Sequence, residues 1–289
     1  MKKPVIITDS SSDLPRNFID NNNIPFISLV CNFKGQEIKD DFGVTLSYKE
    51  FYDAVREKEM PSTSQVNVQT YLDSFRTYID QGIPIIYIGF SSGLSGSLQS
   101  ALLAQKIILE ENKNADLTVI DSKCASLGQG LLVYYAYDLL NRNKSKEEIV
   151  SWLEENKLKM NHWFTVDSLD HLKRGGRISG PAAAVGSILN IKPVLNVDDE
   201  GKLAPVSKVQ GRKKSLRMLA DMLKEKMAPP EDQVIAISHS DSIKDVNYLI
   251  GLLKENYRFK DIIVNMIGPV IGAHTGAGTV ALFFMGKGR

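Results

Sequence analysis

The residues best suited to chemistry in this chain are hydroxyls gathered into short loops beside apolar runs. Ile85-Ile86-Tyr87-Ile88-Gly89 reads as a buried strand, and the composition then switches to Phe90-Ser91-Ser92-Gly93-Leu94-Ser95-Gly96. After Ser97 the apolar residues Leu98, Ala101 and Leu102 recur at helical spacing, so the stretch reads strand, hydroxyl-rich loop, helix. Backbone N–H groups and serine hydroxyls at a helix N-terminus favour a small anionic group there. A serine N-cap on a glycine-rich connection accounts for the same residues without any ligand. A second hydroxyl loop is Met60-Pro61-Ser62-Thr63-Ser64-Gln65, and further ones follow Thr8 and Asp121.

His274 lies between Gly272 and Gly276 in Gly268-Pro269-Val270-Ile271-Gly272-Ala273-His274-Thr275-Gly276. This reads as a polar, flexible loop whose glycines suit a backbone shaped around a small ligand. A lone histidine is otherwise a structural residue. Ser95 and His274, with an aspartate, can be drawn as a hydrolase triad. The local sequence Gly93-Leu94-Ser95-Gly96-Ser97 is no Gly-x-Ser-x-Gly elbow, however, so a serine-dependent hydrolase or acyl transferase is the lesser alternative. The histidines fall in no metal-ligand spacing, and neither a Walker lysine nor a dinucleotide glycine pattern is present; no metal and no cofactor are expected.

The elements that must position these groups alternate. Val5–Thr8, Ile83–Gly89 and Leu117–Ile120 read as buried strands, with helices between and after them. The first half is therefore expected to be a mostly parallel sheet flanked by helices, with ligands beyond the carboxyl ends of its strands. Phe26–Phe33 with Lys34-Gly35 reads as a hairpin, and Ser47 with Glu50 as a capping box. Asp13 or Ser12 is expected to cap a helix starting near Pro15. A boundary near Lys159–His162 divides the chain into 1–160 and 161–289. The second half is expected to be an α/β domain with a mixed sheet: a Gly-capped helix before Arg177, a small apolar helix over Ala182–Leu189, and a hairpin of Ile191–Val197 with Leu203–Val209. A helix over Leu216–Met227, strands at Val234–Ser238 and Ile262–Ile267, and a last strand ending at Phe283 and Phe284 complete it.

With 289 residues and 35 basic against 34 acidic side chains, the chain has the size of two medium domains and lacks the basic excess of a nucleic-acid binder. Cys31 and Cys124 read as buried, reduced thiols. No apolar run approaches the roughly 20 residues of a membrane span, and Met1-Lys2-Lys3-Pro4 opens no signal peptide, so a cytoplasmic location is expected.

Taken together, Thr8-Asp9-Ser10-Ser11-Ser12-Asp13-Leu14, Pro61-Ser62-Thr63-Ser64-Gln65, Ser91-Ser92-Gly93-Leu94-Ser95-Gly96, Gly175-Gly176-Arg177-Ile178-Ser179, Leu189-Asn190-Ile191-Lys192-Pro193 and Ile267 to Gly276 resemble the DegV family of bacterial fatty-acid-binding proteins, in that family's order and across nearly the whole chain. Two departures are Val66 and Ala277, where the family often has proline. The resemblance implies two α/β domains with a long-chain fatty acid (palmitate, stearate or oleate) in a tunnel between them. It implies that Thr63 and Ser95 bind the carboxylate, with His274 and Thr275 close by. It implies a carrier rather than an enzyme, one that presents the acid to a separate fatty-acid kinase for acyl-phosphate formation. The basic loop with Arg177 would face that partner, and transient contact with a membrane surface is compatible with such a role. Chain length, unsaturation preference and oligomeric state are not legible in the sequence.

Overall fold

Of the chain, the computed structural model describes residues 2–178, 190–229 and 233–289, so the helix expected over 182–189 falls outside the described residues. In chain order the first half comprises β1 (Val5–Asp9), α1 (Arg16–Asn21), β2 (Phe26–Ile27), β3 (Val30–Phe33), β4 (Gln36–Lys39), α2 (Tyr48–Arg56), β5 (Ser62–Ser64), α3 (Val68–Ile79), β6 (Ile85–Gly89), α4 (Ser97–Glu111), β7 (Leu117–Asp121), α5 (Leu127–Asn141) and α6 (Lys146–Asn156). The second half comprises β8 (Met160–Thr165), α7 (Asp170–Arg174), β9 (Ile191–Val197), β10 (Leu203–Gln210), α8 (Arg212–Lys226), β11 (Val234–His239), α9 (Ile243–Asn256), β12 (Asp261–Met266), α10 (Pro269–Thr275) and β13 (Val280–Met285).

The β-branched runs of the first half form an all-parallel sheet in the order β2-β1-β6-β7. Continuous apolar strands suit such a sheet because both faces are covered. Side-chain alternation splits the strands cleanly: Ile7, Ile85 and Tyr87 pack with α3 and α4, whereas Ile6, Ile86 and Ile88 pack with α5. The second half builds a mixed six-stranded sheet in the order β10-β9-β8-β13-β11-β12, in which only β11 and β12 are parallel. One face of it, through Trp163, Ile235, Leu282 and Phe284, buries α8 and α9. The other face, through Phe164, Leu195, Ala236 and Phe283, joins the layer of α5. Helix α5 therefore lies between the two sheets, which explains why its sequence is apolar nearly all round.

The capping box expected at α2 is half present, with the Ser47 hydroxyl accepting from the Glu50 N–H. Two local expectations change more. The Thr63 stretch is no free loop: Ser62–Ser64 pairs antiparallel with β3 and forms, with β4, a small three-stranded sheet of its own. Nor does Asp13 or Ser12 cap α1, which starts after Pro15 without a side-chain cap. Asp13 instead takes a left-handed backbone, φ 49°, and points its buried carboxylate at the second half. It accepts from the Ser126 hydroxyl and, at 2.8 Å, from the Gly268 N–H, while its carbonyl accepts from Asn265. Any bulk on Gly268 would press on this cluster, since a Cβ there would sit 3.0 Å from Asp13 Oδ1 and 2.9 Å from Asp40 Oδ2.

Burial, only partly offset by the Phe42 N–H bond, pushes the Asp40 carboxyl up to about 7, and Asp41 and Asp9 push the same way. The folded protein thus binds this proton more tightly than the unfolded chain does. Stability contributed here is present at acid pH and lost as pH rises from about 4 toward 7. Asp40→Asn keeps the shape without the charge, so its melting temperature should exceed that of the wild type at pH 8 and match it near pH 4. Thermal denaturation followed across that pH range checks the prediction.

Candidate functional site

Where the two sheets and α5 meet, a cavity of about 270 Å³ opens, walled mainly by apolar side chains such as Leu29, Phe90, Leu94, Phe164, Val270 and Phe283. Thr63, Ser95, Arg177, His274 and Thr275 all line it. The structure therefore brings every residue singled out from the sequence to one place, across more than 200 positions of chain.

Each arrives by a different device. Thr63 stands on β5 opposite Cys31 of β3, so the small sheet fixes its side-chain direction. Ser95 lies one residue outside the Gly96 that opens α4; its hydroxyl accepts from the Ser97 N–H at 3.2 Å and donates to the Ser97 hydroxyl at 2.9 Å. The N-cap itself is Gly96, so the serine N-cap weighed against anion binding is not formed. The Ser95 proton is given to Ser97, and donation to an anion in the cavity requires the O–H to turn away from Ser97. His274 and Thr275 were expected on a flexible loop but form the last turn of α10. Pro269 suits that helix's first turn, where its missing N–H costs nothing, and Gly276, at φ 74°, ends it. The loop reading failed because five residues of Pro269–Thr275 are buried, and packing outweighs the weak helix propensity of glycine.

The central contact joins Thr63 Oγ1 to His274 Nε2 at 2.8 Å. His274 Nδ1 is buried and has no hydrogen-bond partner among the described residues. An orphaned N–H is rarer and costlier than an orphaned acceptor, which favours the tautomer with its proton on Nε2. In that state the ring donates to Thr63 Oγ1, and the threonine O–H is free to donate into the cavity. Burial, reinforced by the Arg177 and Arg174 guanidiniums, pushes the His274 imidazole down to about 4, so the ring is neutral at physiological pH. A Cβ on Gly175 would collide with Nδ1, so this glycine is needed for the ring to sit where it does.

Arg177 is half-buried: Nε donates to the Leu94 carbonyl at 3.1 Å and Nη1 to the Gly175 carbonyl at 2.6 Å, and no carboxylate among the described residues pairs with it. It ties the serine loop of the first half to the Gly-Gly loop of the second. The resulting site has neutral donors, an uncompensated cation and apolar walls, which is the chemistry of a site for an amphipathic anion. The hydrolase arrangement is not assembled, because the Ser95 hydroxyl is bonded to Ser97 rather than His274, and nothing acidic among the described residues meets Nδ1. Among the described residues no cluster of His, Cys, Asp or Glu could hold a metal ion, and no helix is long and apolar enough to cross a membrane. Cys31 and Cys124 are buried free thiols, each pushed up to about 12 by burial.

Sequence reasoning did not place Ser64, Gln65, Ser126, His162, Ser238 or Thr279 in the site, although all six line the cavity. Ser126 and Ser238 hydroxyls bond each other at 2.9 Å beneath Asp13. The signal for His162 was present in the period-two alternation of His162 and Phe164 around Trp163, which puts the first two on one face.

Comparison with known proteins bears on this site. The family model described as "Uncharacterised protein, DegV family" matches residues 3–287. A DegV domain-containing protein of Clostridium perfringens is 50% identical over 286 residues, covering 99% of this chain and 98% of its own length. Among solved structures, a fatty-acid-binding DegV family protein from Thermus thermophilus superimposes with a TM-score of 0.88 at 29% identity, covering 98% of this chain and 99% of that one. A stearic-acid-binding protein from Eubacterium ventriosum gives 0.84 at 28% identity, with 99% of each chain covered.

The neutral state of His274 is directly checkable. In a pH titration followed by ¹H–¹³C NMR, its ring resonances should stay flat between pH 5 and 8 and move only near pH 4, whereas a freely exposed histidine would titrate near 6.5.

Proposed function

Because the chain belongs to the DegV family, we propose that it binds a long-chain fatty acid such as palmitate, stearate or oleate in the cavity between 1–160 and 161–289, with the carboxylate at Thr63, Ser95, His274 and Thr275. The single observation that carries this reading is the Thr63–His274 hydrogen bond at the wall of a mainly apolar cavity. Burial of a sixteen-carbon tail is worth about 0.8 kcal/mol per methylene, roughly 10 kcal/mol gross before the costs of association. The tail supplies affinity; the headgroup sets the difficulty. An ionised carboxylate taken out of water costs several kcal/mol unless its oxygens are hydrogen-bonded. Hydroxyl donors offset that at about 1.5–3 kcal/mol each, because the acceptor is charged. The neutral imidazole holds the Thr63 hydroxyl in a donating orientation without adding a charge.

The protein acts, on this reading, as a carrier that offers the acid to a separate fatty-acid kinase for acyl-phosphate formation. Neutral donors leave the carboxylate charge available for attack on phosphorus, where a bidentate arginine would neutralise it. Arg177 serves the encounter with that partner: its Nη2 makes no hydrogen bond among the described residues, and it stands beside the headgroup site.

Two measurements test the reading. Native mass spectrometry of protein purified from bacteria should reveal a co-purifying acyl chain; protein that emerges empty and also fails to take up added palmitate or oleate would refute it. Thr63→Ala should weaken fatty-acid binding at least several-fold, on the order of one charge-assisted hydrogen bond, and an unchanged Kd would remove Thr63 from the site.

A further inference from the structure

The cavity has a direction that can be read from the register of the second sheet. Thr279, just before β13, bonds the carbonyls of Thr275 and Gly276 at 3.2 Å and so marks the polar end. Along β13 the cavity-lining side chains are then Ala281 and Phe283, and at Met285, the next residue on that face, the lining stops. The same holds on the neighbouring strand, where Phe164 stands opposite Ala281 and His162 opposite Phe283. Met160, opposite Met285, lies outside the cavity wall. In β9 and β10 the lining residues are Val197 and its partner Leu203. The His162–Phe283 row is thus the last that the cavity reaches on these two strands, about 13 Å from Thr279 at the rise of an extended strand.

One member of that row is polar, and it is fixed on every side. The His162 ring packs edge-on against Phe283 at 5.3 Å between centroids. Its Nδ1 bonds the Met160 carbonyl at 3.0 Å, and its Nε2 accepts from the Ala125 N–H at 3.4 Å. Gly128 of α5 lies against the Nε2 edge so closely that any Cβ there would overlap it. The ring is 2% exposed, and its hydrogen bonds and the close approach of Gly128 hold it in place. A rigid imidazole of this kind offers a hydrocarbon chain no room.

We propose that His162 is the tail stop of the cavity, the residue that sets the longest acyl chain this protein accommodates. The inference rests on the fatty-acid reading above and assigns specificity within that same site. Held between Gly128 and Phe283, the ring ends the space into which successive methylenes pack. Each further methylene that finds room raises affinity about fourfold, and one that meets the ring gains nothing.

The test is a binding profile for saturated acids of increasing length, measured as relative occupancy by native mass spectrometry from an equimolar mixture, for the wild type and four variants. His162→Ala should move the most tightly bound length upward by at least one two-carbon step, and Phe283→Leu, in the same row, should move it in the same direction by less. His162→Leu, close in volume, should leave the optimum in place. Val270→Ala, on the wall outside that row, should leave the optimum in place while raising the fraction of empty protein. If His162→Ala is unstable, the Phe283→Leu and His162→Leu profiles decide the matter. An optimum that stays put in folded His162→Ala or in Phe283→Leu, or one that moves equally in Val270→Ala, overturns the assignment of the stop while leaving the fatty-acid reading intact. A wild type that takes up no acid of any length overturns both.

Discussion

Everything in this protein depends on one buried carboxylate reaching across a junction. Asp13 receives the Ser126 hydroxyl from the entrance to α5 and the Gly268 N–H from the entrance to α10, and its own carbonyl receives the Asn265 amide. Two segments far apart in sequence, at Ser126 and at Asn265–Gly268, are therefore anchored on one residue. A carboxylate so buried is costly, and burial raises its proton affinity well above the ordinary value. The hydrogen bonds offset part of that cost and fix where α10 begins. Since His274 sits one helical turn and a half further on, the position of the imidazole is inherited from Asp13.

The electrostatics of the site follow from the same packing. Arg177 and Arg174 depress His274 and at the same time leave a positive potential beside the cavity that no described acid cancels. Neutral ring, free hydroxyl and nearby guanidinium form a graded environment: donors at contact distance, charge one step removed. Such a gradient suits an anion without locking it into an ion pair.

Much of this was legible in the sequence, and for identifiable reasons. Val5–Asp9 and Ile85–Gly89 declared themselves as buried strands because apolar β-branched runs bounded by turn residues leave few alternatives. The hydroxyl-rich loop after Ile85–Gly89 drew attention to Ser95 as a small-anion position, whereas Thr63 was named only because its loop resembles a family motif. Helix α10 escaped because three glycines and a histidine carry no helical signal of their own; its conformation is imposed by Pro269 at one end, Gly276 at the other and burial between. Strand β5 escaped because Ser-Thr-Ser has no alternation to detect, and its pairing with β3 is a non-local fact. His162 was treated as one of four scattered histidines; the alternation around Trp163 puts it on one face with Phe164, and the register of β8 against β13 shows that this face lines the cavity. The mutual placement of the two sheets around α5 was beyond any local pattern, because it is set by how clusters from both halves merge.

Strand β5 also has a kinetic meaning. It is three residues long, lies at the edge of a three-stranded sheet, and is held on its paired side by β3 alone. Segments of that kind open locally at free energies far below that of global unfolding. Thr63 therefore rides on a short edge strand, while the far end of the cavity is enclosed by central strands and α5. Fraying of this single short strand opens one side of the polar end of the cavity, with neither large sheet disturbed. Access to the cavity is thereby uncoupled from the stability of the fold, since its thinnest wall lies outside both large sheets.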